Sequence, residues 1–502
     1  MQGFRPTLWE LLQLAAAATF TPLRVWAENL VETRFSRGLL IWAGLMWLLG
    51  VAVWLVWVGV GGQRRSVTIA VFWLLLAIGS GGSILGDDPL RVALLFAAIA
   101  VFVSLTYRLE GMRGFRLFTT WAVFVAGFFP VASALTEKLT FQESDLHAAT
   151  PVIAADFTSY PDIVVLVSDA HGAFSVLTDL YDFETGPAIE RLEESGLRLN
   201  EQMRANYSLT HLSLASFFEM GYPVENGEMV SQEDLVELHQ AVGGQNQLVG
   251  IFKAEGYQFV MVESGWSGGR CTAAVDVCVA SPWPDEATSF AIGRSVFGVG
   301  RRFLKESGPA GALSTLRWLE EELPTYLANG RPDFVFAHLF LPHPPLRLGA
   351  DCDFEWRAGL GGLSVGIPGL DSTRLALRKA AYIDQVECAQ NAMTKAASLM
   401  SEDVIFLTFG DHGPDSRAQL FRNPSDWSQA DIDERMRAFF AAKASSCGFE
   451  DVTSLVNVGL RLLRCLSGSK IPDVDDRYFV ATGATGPTGE SFPVHEVRMT
   501  GG

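Results

Sequence analysis

Asp411 and His412 stand side by side in the stretch Asp403–Gly413, DVIFLTFGDHG. Together they offer a carboxylate oxygen and an imidazole nitrogen, a mixed donor set suited to a hard-to-borderline divalent cation. Val404 to Phe409, just before them, is a short apolar run rich in β-branched and aromatic residues, which predicts a buried parallel strand. In open α/β sheets, ligands bind beyond the C-terminal ends of the strands. A glycine-flanked turn at that end lets both side chains face one site. An Asp-His pair alone also serves as an ordinary turn or helix cap, so the chemistry depends on partners elsewhere in the chain.

A second strand of the same style begins in PDIVVLVSDAHG at Pro161, where Ile163 to Val167 runs into Ser168-Asp169-Ala170-His171-Gly172. Two strands that each finish in Asp predict two carboxylates meeting at one sheet edge. Between them lies NYSLTHLSLASFFEMGYP, from Asn206, dense in the hydroxyls of Ser208, Thr210, Ser213 and Ser216. Leu and Phe follow at helical spacing. Thr210 is expected to cap that helix, with its oxygen at a helix N-terminus where an anion is also welcome; a plain cap on a core helix reads the same way. The segment FVFAHLFLPHPP adds His338 and His343. Pro342, Pro344 and Pro345 make its second half an extended, rigid loop. His338, at a strand end, reads equally as a core histidine, whereas packing explains His343 poorly.

Further elements must position these groups. Ile189 to Glu194 has helical spacing and stops at Gly196, while Gln258–Glu263 and Asp333–His338 are apolar strand candidates. Strands alternating with helices predict one doubly wound α/β domain over residues 161–481. Residues 137–160 read as a linker, and residues 482–502, opening TGATGPTGE, as a disordered tail.

At 502 residues the chain is too long for one ordinary domain. Its 49% hydrophobic content and mean hydropathy of +0.22 are concentrated near the N-terminus. Residues 39–62, 66–86, 92–107 and 117–136 carry no charge, and each approaches the ~20 residues that a helix needs to cross a bilayer. The expected architecture is therefore about four transmembrane helices followed by the α/β domain. Arg64 and Arg65 lie between the first two spans, and Arg108, Arg113 and Arg116 between the last two. Placing these loops in the cytoplasm puts everything after Thr136 outside. Arg5, Arg24, Arg34 and Arg37 disagree with that parity, so residues 1–38 read as a cytoplasmic or interfacial segment, with Leu11–Leu23 too short to span easily.

All six cysteines follow the last span, which fits disulfides in an oxidising compartment. Cys271 with Cys278 is the leading pair, and Cys352–Cys388 with Cys447–Cys465 the simplest completion; the other connectivities stay open. A formal net charge of −18 argues against nucleic acid as a partner. An anionic substrate then requires a metal to attract it.

The order of strand-Asp169, Thr210 at a helix start, His343 and strand-Asp411-His412 resembles the alkaline phosphatase superfamily. More narrowly it is similar to the membrane-anchored, sulfatase-like branch of lipoteichoic acid synthases and phosphoglycerol and phosphoethanolamine transferases. The resemblance spans about residues 161–465 and is carried by NYSLTHLSLASFF, FAHLFLPHPP and TFGDHG. It implies an alkaline-phosphatase-like fold in which Asp169, Thr210, Asp411 and His412 hold one divalent ion (Mn, Zn or Mg). It also implies that Thr210 is the nucleophile, with His343, and less directly His338, contacting the transferred group. Two departures stand out. The lipid transferases usually have Glu where this chain has Asp169, and no cysteine lies in the Cys-x-Pro-x-Arg pattern that sulfatases mature. Phosphoryl transfer is thus favoured over sulfate hydrolysis. The expectation is a multi-pass membrane enzyme whose catalytic domain is periplasmic or extracellular, passing a phospho-alcohol group from a lipid donor to a glycan or lipid acceptor. A phosphodiesterase or phosphatase, and a non-catalytic envelope scaffold or sensor, are the rivals. Asp384 is a further candidate for a structural or second metal site.

Overall fold

The computed structural model describes residues 6–28, 37–60, 64–85, 155–266, 268–282, 284, 286–295, 307–355, 360, 364–444, 447–481 and 491–499, with the isolated positions 132 and 136. The chain forms two compact units. One comprises residues 1–142 and 283–307, the other residues 143–282 and 308–502. Residues 283–307, which the sequence reading places within the α/β range 161–481, group with the N-terminal helices.

In the N-terminal unit, α1 (Leu8–Glu28), α2 (Arg37–Gly59) and α3 (Arg64–Leu85) pack around Leu14, Trp54, Val71 and Phe72. The Trp54 indole N–H donates to the buried Thr68 Oγ1 at 2.9 Å, so this polar group is satisfied inside the apolar contact. Among the described residues, α2 is the one helix long and apolar enough to cross a membrane. The second expected span falls in α3, whose apolar stretch Val67–Leu76 is shorter than predicted. The expected span 92–107 lies outside the described residues, as does 117–136 apart from positions 132 and 136. The N-terminal apolar piece is longer than its hydropathy suggested. Thr7 and Glu10 form a reciprocal cap that starts α1 at Leu8, and the helix runs 21 residues.

The other unit is a mixed α/β body with a central, mostly parallel seven-stranded sheet in the order β2-β8-β7-β1-β6-β4-β5. Its strands are β1 (Ile163–Ser168), β2 (Arg198–Leu199), β4 (Gln258–Val262), β5 (Val277–Val279), β6 (Asp333–Leu339), β7 (Ile405–Phe409) and β8 (Phe440–Lys443). A short β3 (Met229–Val230) lies outside this sheet, and β8 is the antiparallel member. The central strand β1 is buried along its whole length. Val164 and Leu166 enter one apolar core, whereas Ile163, Val165 and Val167 enter the other. A strand covered on both faces reads as a continuous apolar run rather than an alternating one. Helices α4 (Phe174–Tyr181), α5 (Gly186–Glu194), α6 (Thr210–Glu219), α7 (Gln232–Val242) and α8 (Gln247–Ala254) precede β5 in the chain. The chain then adds α9 (Glu286–Arg294), which belongs to the N-terminal unit and packs Ala287, Ala291 and Ile292 against Ala18, Leu39 and Trp42 there. Next come α10 (Ser307–Glu321), α11 (Leu323–Leu327), α12 (Ser372–Leu399), α13 (Gln429–Met436) and α14 (Val456–Ser467).

The strands predicted from apolar runs are β1, β4, β6 and β7, and the helix ending at Gly196 is α5. The disulfides join Cys271 to Cys278, Cys352 to Cys388 and Cys447 to Cys465. The tail departs from expectation. Residues 482–490 lie outside the described ones, but β10 (Phe492–Pro493) pairs with β3, and β11 (His495–Val497) pairs with β9 (Tyr478–Val480). Phe492 and Val494 are buried, so apolar contacts hold the segment that composition alone marked as disordered.

Gly410 shows how tightly the turn after β7 is packed. A Cβ there would sit 2.2 Å from the backbone oxygen of His171, with no flexible side chain able to yield. Gly410→Ala is expected to destabilise the protein by about 3 kcal/mol, the upper range for overpacking. Denaturant midpoints followed by near-ultraviolet circular dichroism check this; a midpoint equal to that of the wild type would show that the turn relaxes freely.

Candidate functional site

Strand register brings the first two groups together. Val167 of β1 faces Phe409 of β7, so Asp169 and Asp411, each two residues further on, leave the sheet at the same level. Adjacent strands lie about 4.8 Å apart, which places two carboxylates beside each other. The backbone beyond β1 is shaped for this. Ala170 adopts φ 61°, a left-handed conformation that is uncommon for a residue with a Cβ. Its N–H donates to Asp411 Oδ1 at 2.9 Å, and its carbonyl accepts from the Tyr382 hydroxyl at 2.7 Å. The His412 N–H also donates to Asp411 Oδ1, at 3.0 Å.

His412 and Thr210 complete the cluster. His412 Nδ1 lies 3.1 Å from the Gly413 carbonyl, a contact that requires the proton on Nδ1 and leaves Nε2 with a lone pair. Nε2 lies 3.1 Å from Thr210 Oγ1, 3.3 Å from Asp411 Oδ2 and 3.8 Å from Asp169 Oδ1. Thr210 does not cap its helix as expected. Leu209 occupies the cap, Thr210 is the first residue of α6, and its hydroxyl is turned to His412 instead. Ser213, one turn on, donates to the Asp411 carbonyl at 2.6 Å and ties α6 to the β7 turn.

His338 faces the same site. It stands opposite Val167 on β6, and its Nε2 is 3.4 Å from Asp169 Oδ2. Its Nδ1 lies 2.9 Å from Ser264 Oγ, in the segment that follows β4. Its position is thus more than that of a packed core histidine. His343 is half-buried, packs its ring at a tilt against Phe340 with centroids 4.4 Å apart and has a cis peptide bond shortly before and after it, at Leu341–Pro342 and Pro344–Pro345. Gln385 holds this loop by donating to the carbonyls of Pro342 and His343 at 3.1 and 3.2 Å. Among the described residues the buried group able to hold a cation consists of Asp169, Asp411 and His412, without the neighbouring Asp384.

The electrostatics follow from two like charges in a buried setting. Burial pushes Asp169 up, but the imidazoles of His343, His338 and His412 outweigh it and hold the carboxyl below the usual range. Asp411 goes the other way, pushed up to about 7 by burial and by the Asp169 charge. His412 is held well below its ordinary value by burial and the nearby Arg435 guanidinium. Asp169 Oδ1 and Asp411 Oδ2 are buried and have no hydrogen-bond donor. With His412 Nε2 they place three lone-pair atoms within 4.8 Å of one another. Two donor-poor carboxylate oxygens around an imidazole nitrogen form a donor set that suits a divalent cation.

Sequence reasoning missed Ser264 and Arg435. Ser264 follows a strand of the same style as the others, so the sheet-edge rule could have found it. Arg435 lies at the end of α13 in no motif, and only the tertiary fold brings it to His412. Behind it sits a buried polar layer in which Asp415 Oδ1 accepts from the Val365 N–H at 2.8 Å. Burial raises the Asp415 carboxyl from its ordinary 3.8 to about 6, against the pull of Arg435. A raised carboxyl contributes stability that is present below pH 4 and lost as pH climbs through 6. Asp415→Asn keeps the Oδ1 acceptor and removes that loss. The variant is expected to gain up to about 3 kcal/mol over wild type at pH 7 and close to nothing at pH 4, as read from denaturant midpoints at the two pH values.

No family model matches the chain, and no curated protein matches it in sequence. In structure the chain is similar to the C-terminal periplasmic domain of EcEptC from Escherichia coli, at 13% identity and a TM-score of 0.42, covering 69% of this chain and 96% of that one. It is also similar to the C-terminal periplasmic domain of the phosphoethanolamine transferase EptC from Campylobacter jejuni, at 11% identity and a TM-score of 0.39, over 64% of this chain and 92% of that one. A third likeness is to BT1596, a 2-O GAG sulfatase, at 13% identity and a TM-score of 0.38, over 64% and 78% of the two chains.

Proposed function

We propose that the chain is a membrane-anchored, metal-dependent phosphotransferase of the cell envelope in which Thr210 is the nucleophile. One observation carries the reading: the Thr210 hydroxyl, on the first turn of α6, reaches the nitrogen of a buried Asp169–Asp411–His412 cluster whose free atoms are lone pairs. A threonine in a plain core helix has no reason to face such a set.

Asp169, Asp411 and His412 would hold the ion together with Thr210. A divalent cation in this position lowers the pKa of the threonine hydroxyl and neutralises charge on the phosphoryl oxygens. Thr210 Oγ1 forms a bond to phosphorus as the bond from phosphorus to the leaving alcohol breaks, and the departing oxygen takes up the proton that the threonine loses. The phospho-alcohol carried on Thr210 is then passed to an acceptor hydroxyl by the reverse of the same steps. His338, beside Asp169, and His343 would orient the transferred group. The first turn of α6 adds backbone N–H groups and a positive helix end beside the developing charge.

The three disulfides support an oxidising compartment, and the apolar helix α2 supports an anchor. A donor carried in the membrane, such as a lipid with a phospho-alcohol head group, fits an anchored site. The acceptor is an envelope glycan or lipid.

The full chain, purified in detergent, is to be incubated with a phospholipid labelled in its phospho-alcohol head group. Chelation is expected to abolish turnover and Zn or Mn to restore it, and Thr210→Ala is expected to lower turnover by roughly a thousandfold or more. Mass spectrometry of a trapped reaction should find the phospho-alcohol mass on the peptide that contains Thr210. Free phospho-alcohol without acceptor-linked product would assign the site to a hydrolase, and full turnover by Thr210→Ala would remove the nucleophile.

A further inference from the structure

Arg435 is buried, 4% exposed, at the end of α13. Its Nε donates to the Ser208 carbonyl at 2.8 Å and its Nη1 to the Gly413 carbonyl at 2.8 Å. These two bonds clamp the segment before Thr210 to the turn that carries Asp411 and His412. A structural clamp accounts for both. It does not account for Nη2, which points at His412 Nε2 from 3.1 Å.

That nitrogen is over-subscribed. Its single lone pair faces the Thr210 hydroxyl and the Arg435 N–H, each at 3.1 Å, and it also belongs to the cluster able to hold a cation. A lone pair committed to a cation accepts from neither. The Arg435 Nη2–H then loses that acceptor, at the same nitrogen that Thr210 Oγ1 reaches. Nor is the guanidinium consumed by an ion pair. Asp415, Asp411, Asp169 and Glu434 act on it electrostatically, yet among the described residues none forms an ion pair with it.

We propose that Arg435 is a further catalytic residue: its Nη2–H donates to a non-bridging oxygen of the phosphoryl group as that group is transferred to Thr210. The inference rests on the reading of Thr210 as the phosphoryl acceptor. The planar fork of arginine suits the task, because two arms can fix the plane of the group while the third meets an anionic oxygen. A buried cation that is already hydrogen-bonded needs no reorganisation when charge develops.

Orthovanadate, a mimic of the phosphoryl group in flight, and inorganic phosphate are the probes. Their affinities are to be measured for the full-length, zinc-loaded wild type, Arg435→Met and Arg435→Lys, together with zinc content and thermal midpoint. Arg435→Met is expected to keep its zinc and weaken vanadate binding roughly ten- to a hundredfold, the range for a charge-assisted hydrogen bond. Arg435→Lys, which keeps the charge but not the fork, is expected to fall between. If the Met variant does not fold, a folded, zinc-containing Lys variant with weakened vanadate binding still supports the proposal. Vanadate affinity equal to wild type in a folded, zinc-containing variant overturns it. Loss of zinc or of the fold in both variants also overturns it, leaving Arg435 as a clamp. Neither result touches the Thr210 assignment, which stands or falls on the Thr210→Ala turnover and the labelled peptide.

Discussion

Two carboxylates held side by side at one sheet edge are the constraint on which the rest of this structure depends. Asp169 and Asp411 leave neighbouring strands at the same level, and their charges repel in a buried setting where solvent screening is weak. Such an arrangement persists only where counter-charge is built around it. The chain supplies the Arg435 guanidinium, with His338 beside Asp169, and the pair responds asymmetrically, with Asp169 held low and Asp411 pushed up to about 7. A divalent cation is the simplest remaining neutraliser, and the lone pairs left without donors are those it would use.

The scaffold shows the cost of placing the pair. Ala170 is held in a left-handed conformation by hydrogen bonds at both its N–H and its carbonyl, and the neighbouring turn admits no side chain at Gly410. Strained and over-determined backbone of this kind clusters at functional sites. It is kept here because β1 lies in the middle of the sheet with packed apolar layers on both faces, so the turn cannot relax without moving the core. Arg435 adds a second level of restraint by tying the loop before Thr210 to the turn beyond β7. The segment before Thr210 and the Asp411–His412 turn are thereby held by the same guanidinium.

The two units of the chain are interleaved in sequence. Residues 283–307 leave the α/β body and belong with the N-terminal helices, so the segment between β5 and α10 is shared property of the chain rather than an ordinary surface loop. The small residues Ala287 and Ala291 permit a close approach of α9 to α1 and α2. Among the described residues, the helix apolar enough to cross a membrane lies in the first unit and the three disulfides lie in the second.

Much of this was legible in the sequence, for identifiable reasons. Buried parallel strands are continuous apolar runs, so β1, β4, β6 and β7 announced themselves, and the acidic turns beyond β1 and β7 marked one sheet edge. Local chemistry marked the strand ends and made Cys271–Cys278 the leading cysteine pair. What tertiary structure alone decided is everything that depends on approach between remote segments. Register set the level at which the two aspartates meet. The turn of the Thr210 hydroxyl toward His412, away from a capping role, followed from that meeting. Arg435 reached the cluster from a helix with no motif, and Phe492 and Val494 were ordered by apolar contacts that composition could not foresee. Sequence specifies which groups are available and the local conformations that present them. The distances between them, and hence their charges, come from packing, because electrostatic and metal-binding behaviour depends on separations that no local pattern encodes.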